Sequence, residues 1–330
     1  MKEIFLRELA DIQTGPFGSQ LHKEDYVENG TPIVTVEHLG NKDFSEQNLP
    51  RVSNSDKERL KKYVLKEGDI VFSRVGSVDR CSYVDKTHAG WMFSGRCLRV
   101  RPNTEIDSEY LYYYFCMDEI KEFVRNIAVG ATMPSINTKL LGEVTVRFPD
   151  LVQQKKIAGV LSAIDGKIKV NQKINDNLQK QLYEIYKTWY QDFLCIDNLT
   201  LIESPYGKIP QGWHYSMLGD LCKSVSVTHN FNTERLIFLN TGDVEDGMFL
   251  HSDYMAVADM PGQAKKTIMQ NDILYSEIRP INRHFAYVDF QADNYVVSTK
   301  LMVIRATSFD SRRLYHFLTL QDTLEELQMQ

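Results

Sequence analysis

No apolar run in this 330-residue chain reaches the roughly 18 residues of a membrane span, so insertion as a helix is not expected. The start, MKEIFLRELADI, lacks the basic, apolar and small-residue order of a signal peptide, which makes the cytoplasm the expected compartment. Cysteine is scarce. Cys81, Cys97, Cys116, Cys195 and Cys222 form no CxxC and no zinc-like Cys/His spacing, and each reads as a reduced, small core thiol. The eight histidines show no HxxxH pairing, so a zinc centre is not expected. There is no Asn/Asp-Pro-Pro-aromatic tetrad, and TGPFGS lacks the GxGxxG spacing of a cofactor turn, which excludes a DNA methyltransferase. DKERLKK is the nearest approach to a nuclease-like cluster of acids and lysine, and it reads as a solvated helix. Catalysis by this chain is not expected.

Large excess charge is also missing. The net charge of −6 divides into −3 over residues 1–150 (20 basic, 23 acidic), +2 over 151–200 (7 and 5) and −5 over 201–330 (11 and 16). With no basic tail and no recognisable helix-turn-helix, nucleic-acid binding would rest on local clusters of Arg and Lys, with phosphate neutralisation shared with a partner. At 43% hydrophobic and 25% charged the chain reads as globular. Its length suits two domains of about 100–150 residues and a connector.

What is present is a repeat. LKEGDIVFSRVGSVDRCSYVD at 65–85 returns as IMQNDILYSEIRPINRHFAYVD at 268–289. LADI at 9–12 matches LGDL at 218–221, TPIVTVEHL matches RLIFLNTGD, and SGRCLRVRP matches STKLMVIRA. LYYYFCMDEIKEF answers LYHFLTLQDTLEE at a shift of 203. Runs such as DIVFSRV, CLRVRP, VTVRFP, LMVIRA and YVVS are strand-like, and an amphipathic helix is expected at 110–123. Each half is therefore expected to mix strands and helices, an α+β fold.

Between the halves lies a different pattern. Asp150 and Gln153 make a capping-box-like start after Pro149, and no proline follows until Pro205. Alternating steps of four and three give Ile157, Leu161, Ile164, Ile168, Asn171, Asn175, Leu178, Leu182, Ile185 and Trp189, eight of ten apolar, the seam of a coiled coil. A helix over 151–193 would be about 64 Å long. Asn171 and Asn175 would fix register against a partner helix; the alternative is an exposed kink, which Gly159 and Gly166 would encourage.

Three motifs resemble the specificity (S) subunit of type I restriction-modification systems. YGKIPQGWHYSMLGDLCKS at 206–224 is similar to the opening of a target-recognition domain of that family, and the GDI followed by a Ser/Arg-containing strand is similar too. Pro149, Gln154, Ile157, Leu161, Asp165 and Ile168 match the family's central-helix pattern P-x-x-x-x-Q-x-x-I-x-x-x-L-x-x-x-D-x-x-I. The resemblance covers about 300 of the 330 residues. It implies a first target-recognition domain over 1–150, a conserved spacer helix over 151–195, and a second target-recognition domain over 196–330, shortened before its last strand and second spacer helix. It further implies a non-catalytic subunit that reads a split target in double-stranded DNA and docks methyltransferase (M) subunits. S-adenosylmethionine would then sit on the M subunit, ATP and Mg on a restriction (R) subunit, and no cofactor on this chain. The unmated seam would pair with a second copy of the chain or with a partner subunit. The rival reading is a stand-alone dimeric DNA-binding regulator built from the same domains.

Base and phosphate contacts need donors held on loops. Four places fit. The Gly-Pro loop at 14–23 offers Thr14, Gly15, Phe17, Gly18, Ser19, Gln20, His22 and Lys23. SRVGSVDR places Arg74, Ser77 and Arg80 around a glycine turn, and SEIRPINR repeats it with Arg279, Asn282 and Arg283. VGATMPSINTK at 129–139 sets Ala131 and Thr132 near Asn137 and Lys139. Against each stands the plain alternative of a solvated or ion-paired surface residue. Recognition domains vary most where they read bases, so the resemblance carries no individual contact onto this chain.

Overall fold

The strand Ile70–Ser73 is buried from end to end because its alternating side chains enter two different cores. Ile70 and Phe72 join one with Leu98, Leu111 and Phe115, and Val71 joins the other with Val34, Met92 and Phe93. This computed structural model describes residues 2–329 except Phe17, Ser19, Ala131 and Tyr206; of Lys23 it describes the backbone alone. The chain divides into two compact units, 1–176 and 177–330.

In the first unit the sheet runs in the order Ala10–Thr14, Cys97–Pro102, Ile70–Ser73, Cys81–Tyr83, antiparallel throughout. A second sheet joins Arg51–Val52, Tyr26–Val34 and Met92–Phe93, the last pair parallel. In the second unit the order Cys222–Val225, Leu301–Ala306, Ile273–Ser276, Phe285–Tyr287 repeats the first sheet, and Arg235–Leu239 pairs with Tyr295–Ser298 in parallel as its counterpart does. Register repeats as well: Ile70 faces Val100, and Ile273 faces Ile304. Both units follow with two helices, Ser108–Cys116 and Asp118–Ile127 in one, Ser311–Thr319 and Gln321–Met329 in the other. Asp107 and Asp310 cap the first helix of each pair.

The same buried charge anchors each unit. Asp69, 1% exposed, accepts from Arg101 Nε and Nη2 at 2.7 Å each and from the Lys66 N–H at 2.8 Å. Asp272, also 1% exposed, accepts from Arg305 Nε and Nη2 at 2.7 Å each and from the Met269 N–H at 2.8 Å. The residue before each aspartate, Gly68 or Asn271, has positive φ (89° and 73°), where glycine and asparagine are the residues that fit. Hydrogen bonding to the carboxylate raises the Arg101 and Arg305 pKa values above the usual guanidinium value.

Several expectations change. The helix expected at 110–123 is two, because Met117 takes an extended conformation (ψ 138°) and Asp118 and Glu119 open a second helix. LGDL, which forms a helical turn, corresponds in structure to Leu6–Leu9 and not to 9–12: each turn leads directly into an edge strand, Ala10 facing Pro102 and Cys222 facing Ala306. LRELADI holds two overlapping Leu-x-x-Leu/Ile patterns, and pattern alone cannot separate them. Leu6 and Leu9 are buried beneath the segment 138–148, whereas Leu218 is 41% exposed. Cys195 is exposed, unlike the core thiol expected of it. Of the solvated helix expected of DKERLKK, 56–62, only 56–59 lie in the helix Asn54–Arg59, which buries no residue; Leu60 is buried and Lys61–Tyr63 forms a 3₁₀ turn.

Between the strand-rich parts runs a helix over Leu151–Tyr186, followed by a π-turn at Lys187–Gln191. Its 36 residues span about 54 Å, shorter than the 64 Å expected, because the α-helical hydrogen bonding stops at Tyr186. The Gln153 N–H donates to Asp150 Oδ1 at 3.0 Å, the cap expected there. The helix passes through Gly159 and Gly166 without interruption.

Candidate nucleic-acid interface

Three of the four loops singled out in the sequence belong to the first unit, and the structure brings them together around the turn 94–97. Gly15 lies so close to this turn that a Cβ there would stand 2.1 Å from the Ser94 carbonyl oxygen. The Gly15 N–H donates to the Cys97 carbonyl at 3.3 Å, so this buried glycine serves packing and does not present a bare amide. Arg74 joins the turn from the other side: its N–H donates to Arg96 O at 2.9 Å and its guanidinium to Gly95 O at 3.1 Å. The loop 129–139 is tied to the same place by Ile136 N–H to Arg74 O and Gly76 N–H to Pro134 O, 2.9 Å each.

The individual side chains divide sharply. Gly18, His22, Ser77, Thr132 and Lys139 are exposed; Thr14 is half-buried at a strand end. Gln20 is held by the Tyr63 hydroxyl at 2.7 Å. Arg80 donates to the Leu39 carbonyl, and Asn137 caps the helix Thr138–Gly142 by accepting from the Leu140 N–H at 2.9 Å. Those three have structural partners. Phe17, Ser19 and Ala131, and the side chain of Lys23, lie outside the described residues.

In the second unit Arg279 and Asn282 are exposed, while Arg283 is bound through Nε and Nη2 to Asp246 at 2.9 and 2.6 Å. The sequence pairing of Arg80 with Arg283 is also one residue off. The Ser73 N–H donates to Arg80 O and the Ser276 N–H to His284 O, both at 2.9 Å, so His284 is the counterpart of Arg80. The extra residue is taken up by a 3₁₀ turn, Pro280–Asn282, flanked by Arg279 and Arg283 at positive φ (50° and 59°).

One pair of residues escaped the sequence reading. Arg96, at the tip of the turn against which Gly15 and Arg74 pack, is exposed, and its structural counterpart Lys300 is exposed on the corresponding turn. Among the described residues neither side-chain cation has a hydrogen-bond or ion-pair partner, in contrast to Arg80 and Arg283. The signal was in the repeat, where SGRC aligns with STKL.

The helical seam is exposed in each unit. Ile157, Leu161, Ile164, Ile168, Leu178, Leu182, Ile185 and Trp189 are all between 36% and 54% exposed, and Asn171 and Asn175 are exposed with them. Within the second unit, Leu182, Ile185 and Trp189 line a groove of about 520 Å³ with Leu218, Leu221, Phe317 and Leu320. Among the described residues no group of three or more His, Cys, Asp or Glu side chains is placed to hold a metal, and no helix is long and apolar enough to cross a membrane.

Comparison with known proteins bears on this arrangement. Residues 1–180 match the family model described as the type I restriction modification DNA specificity domain. The type I restriction enzyme HindI specificity subunit of Haemophilus influenzae is 52% identical over 93 residues, covering 28% of this chain and 20% of that protein. The MjaIX specificity subunit of Methanocaldococcus jannaschii is 26% identical over 235 residues, 68% of this chain and 54% of that protein. The chain thus spans about half, or less, of the length of these curated relatives. A crystal structure of the S subunit of a type I restriction-modification system from M. genitalium superposes with a TM-score of 0.55 at 16% identity, covering 99% of this chain and 79% of that one, which is a likeness of fold.

Proposed function

Because the chain belongs to the type I restriction-modification DNA specificity family, we propose that it is a non-catalytic subunit that reads a split target in double-stranded DNA for attached enzymes. Residues 1–150 are the first reading domain, 151–195 the spacer and 196–330 the second reading domain. The observation that carries this is the repeat of strand order and register in the two units, each with an exposed cation, Arg96 or Lys300, on the corresponding turn. Two copies of one frame suit two parts of one target.

The reading surface of the first domain is the ledge around 94–97: Arg96 and Arg74, with Thr14, Gly18, His22, Ser77, Thr132 and Lys139 at its margins. In the second domain it is Lys300, Arg279 and Asn282. The seam from Ile157 to Trp189 is the docking face for methyltransferase subunits or a second copy, with Asn171 and Asn175 setting register. S-adenosylmethionine belongs to the methyltransferase, and ATP with Mg to a restriction subunit that completes the complex in the cytoplasm. The test is sequencing of modified bases in cells with the gene intact and deleted. Loss of one bipartite methylated motif on deletion is expected. An unchanged methylome, with tight DNA binding by the chain alone, would instead establish the dimeric regulator.

A further inference from the structure

Lys42 stands where local chemistry disfavours it. Its φ of 68° is a left-handed conformation in which a residue with a Cβ is strained. The second unit shows the ordinary solution. There a capped 3₁₀ turn, Thr241–Asp243, leads to Asp246 and Gly247 (φ 47° and 86°), just as the capped turn Val36–His38 leads to Asn41 and Lys42. Where the second unit has glycine beside the Tyr315 hydroxyl, the first has lysine hydrogen-bonded through its backbone to the corresponding Tyr112.

The ammonium explains the substitution. Lys42 Nζ lies 2.7 Å from the Tyr113 hydroxyl, 3.0 Å from Ser162 Oγ and 3.1 Å from Glu109 Oε1, a partner for each of its three hydrogens. Tyr113 donates onward to Asp165 at 2.6 Å, Ser162 to Glu109 at 3.0 Å, and next door Asp43 pairs with Lys169 at 2.6 Å. Ser162, Asp165 and Lys169 belong to the long helix; the turn itself is fixed to the sheet by the Lys42 carbonyl, which accepts from the Tyr83 N–H at 2.8 Å. One turn residue thus joins the sheet, the helix Ser108–Cys116 and the spacer helix.

The helical geometry gives this network a direction. Ser162, Asp165 and Lys169 continue the stripe of Gln154 and Ala158, which are 1% and 2% exposed. At 100° per residue that stripe is centred about 90° around the helix from the seam residues Ile157, Leu161, Ile164 and Ile168. We propose that Lys42 is a positioning residue that locks the rotational setting of the spacer helix on the first domain and so fixes the direction in which the apolar seam faces. Gln154 anchors the helix at its start; Lys42 prevents it from rolling about two to three turns later, with Asp43 holding Lys169 one turn beyond. As a deepening of the proposed function, which this part rests on, the lock holds the gap between the two parts of the target to a single length.

The experiment uses the full chain with nitroxides on ketone-bearing residues introduced in place of Lys86 and Lys173, both within the first unit. A narrow spin-spin distance distribution is expected for the native residue and for Lys42→Arg. A distribution at least twice as wide is expected for Lys42→Met and for Lys42→Gly, the latter suiting the backbone while removing the ammonium. Equal widths in all four proteins, with circular dichroism unchanged, would overturn the proposal. In cells, Lys42→Gly is expected to spread methylation to targets with gaps one base pair longer or shorter while the bases read stay the same. A single gap length retained by Lys42→Gly would overturn the role in spacing. If the native chain directs no bipartite methylation, the proposed function fails, and the distance measurement still decides the lock.

Discussion

Replacing Asp69 or Asp272 with asparagine tests whether the two units stand on the same buried charge. Each carboxylate is 1% exposed, accepts a two-pronged arginine contact at 2.7 Å and closes its own turn through a backbone N–H at 2.8 Å. Removing one partner of a fully buried pair costs about 3–5 kcal/mol. Here the side chains of Arg101 and Arg305 keep 28% and 30% of their surface, so the stranded cation retains contact with water and the lower end applies, about 3 kcal/mol. For units of 176 and 154 residues that corresponds to a fall of about 6–12 °C in melting temperature. Hydrogen exchange read by mass spectrometry across a urea series resolves the units. Asp69→Asn is expected to lower protection in strands 70–73 and 97–102 and leave 273–276 and 301–306 unchanged; Asp272→Asn should do the reverse. A loss below about 1 kcal/mol in both variants would refute the reasoning, as it would mean that the arginine desolvation cancels the contact.

Further outcomes follow from the same geometry. Gly15→Ala places a Cβ 2.1 Å from the Ser94 carbonyl and is expected to cost about 3 kcal/mol or more in urea unfolding, whereas Gly18→Ala, with nothing within 4 Å, should stay within about 0.5 kcal/mol. Arg96→Ala or Lys300→Ala should leave unfolding unchanged and reduce the slope of log K for DNA against log salt by about 1 if the lost contact is to phosphate, measured by fluorescence anisotropy. Ile164→Asp with Leu178→Asp, at sites 52% and 54% exposed, should change the stability of the isolated chain by less than about 1 kcal/mol in total and abolish association through the seam in sedimentation. A native chain that sediments as a monomer at high concentration, with no partner present, would count against pairing with a second copy.

Much of the frame was legible because its cause is local. GDI and NDI each need a residue tolerant of positive φ before a buried aspartate, and the strand that follows alternates between two cores, so both halves carry the same short signature. The long helix was legible for the same reason, its cap and seam being periodic along the chain. What the local pattern does not carry is which partner an individual side chain meets. Arg283 and Asp246 are 37 positions apart, and no pattern near Arg283 marks it as ion-paired. Asn137 has the chemistry of a base-reading residue and of a helix cap, and in this structure its side chain accepts from the Leu140 N–H as a cap. Arg96 was hidden for the opposite reason: directly before the strand-like run CLRVRP it looks like framework, and only the three-dimensional turn exposes it. The slip at Arg80 has a physical origin as well, since one added residue was absorbed in the turn Pro280–Asn282 and the strands on both sides kept their pairing.

That slip points to how the two units diverge. Tyr83 and Tyr287 both reach the first serine of the following helix, Ser108 and Ser311, at 3.2 and 2.9 Å, and Ser73 and Ser276 both bond the carbonyl two residues on, at 2.8 and 3.0 Å. These contacts lie behind the strand ends. Beyond them similarity stops: Arg74 stands opposite Glu277 and Gly76 opposite Arg279, reversing or adding charge at the tips. Substitutions at exposed tips change stability by about 0.5 kcal/mol or less, whereas a change at the buried aspartate is expected to cost several times that. A frame whose stability resides in Asp69 and Asp272 can therefore change its tips almost without constraint from folding. Under the proposed function, the two units are thereby free to diverge in what they read while the long helix, held at Gln154 and Lys42, keeps its setting on the first.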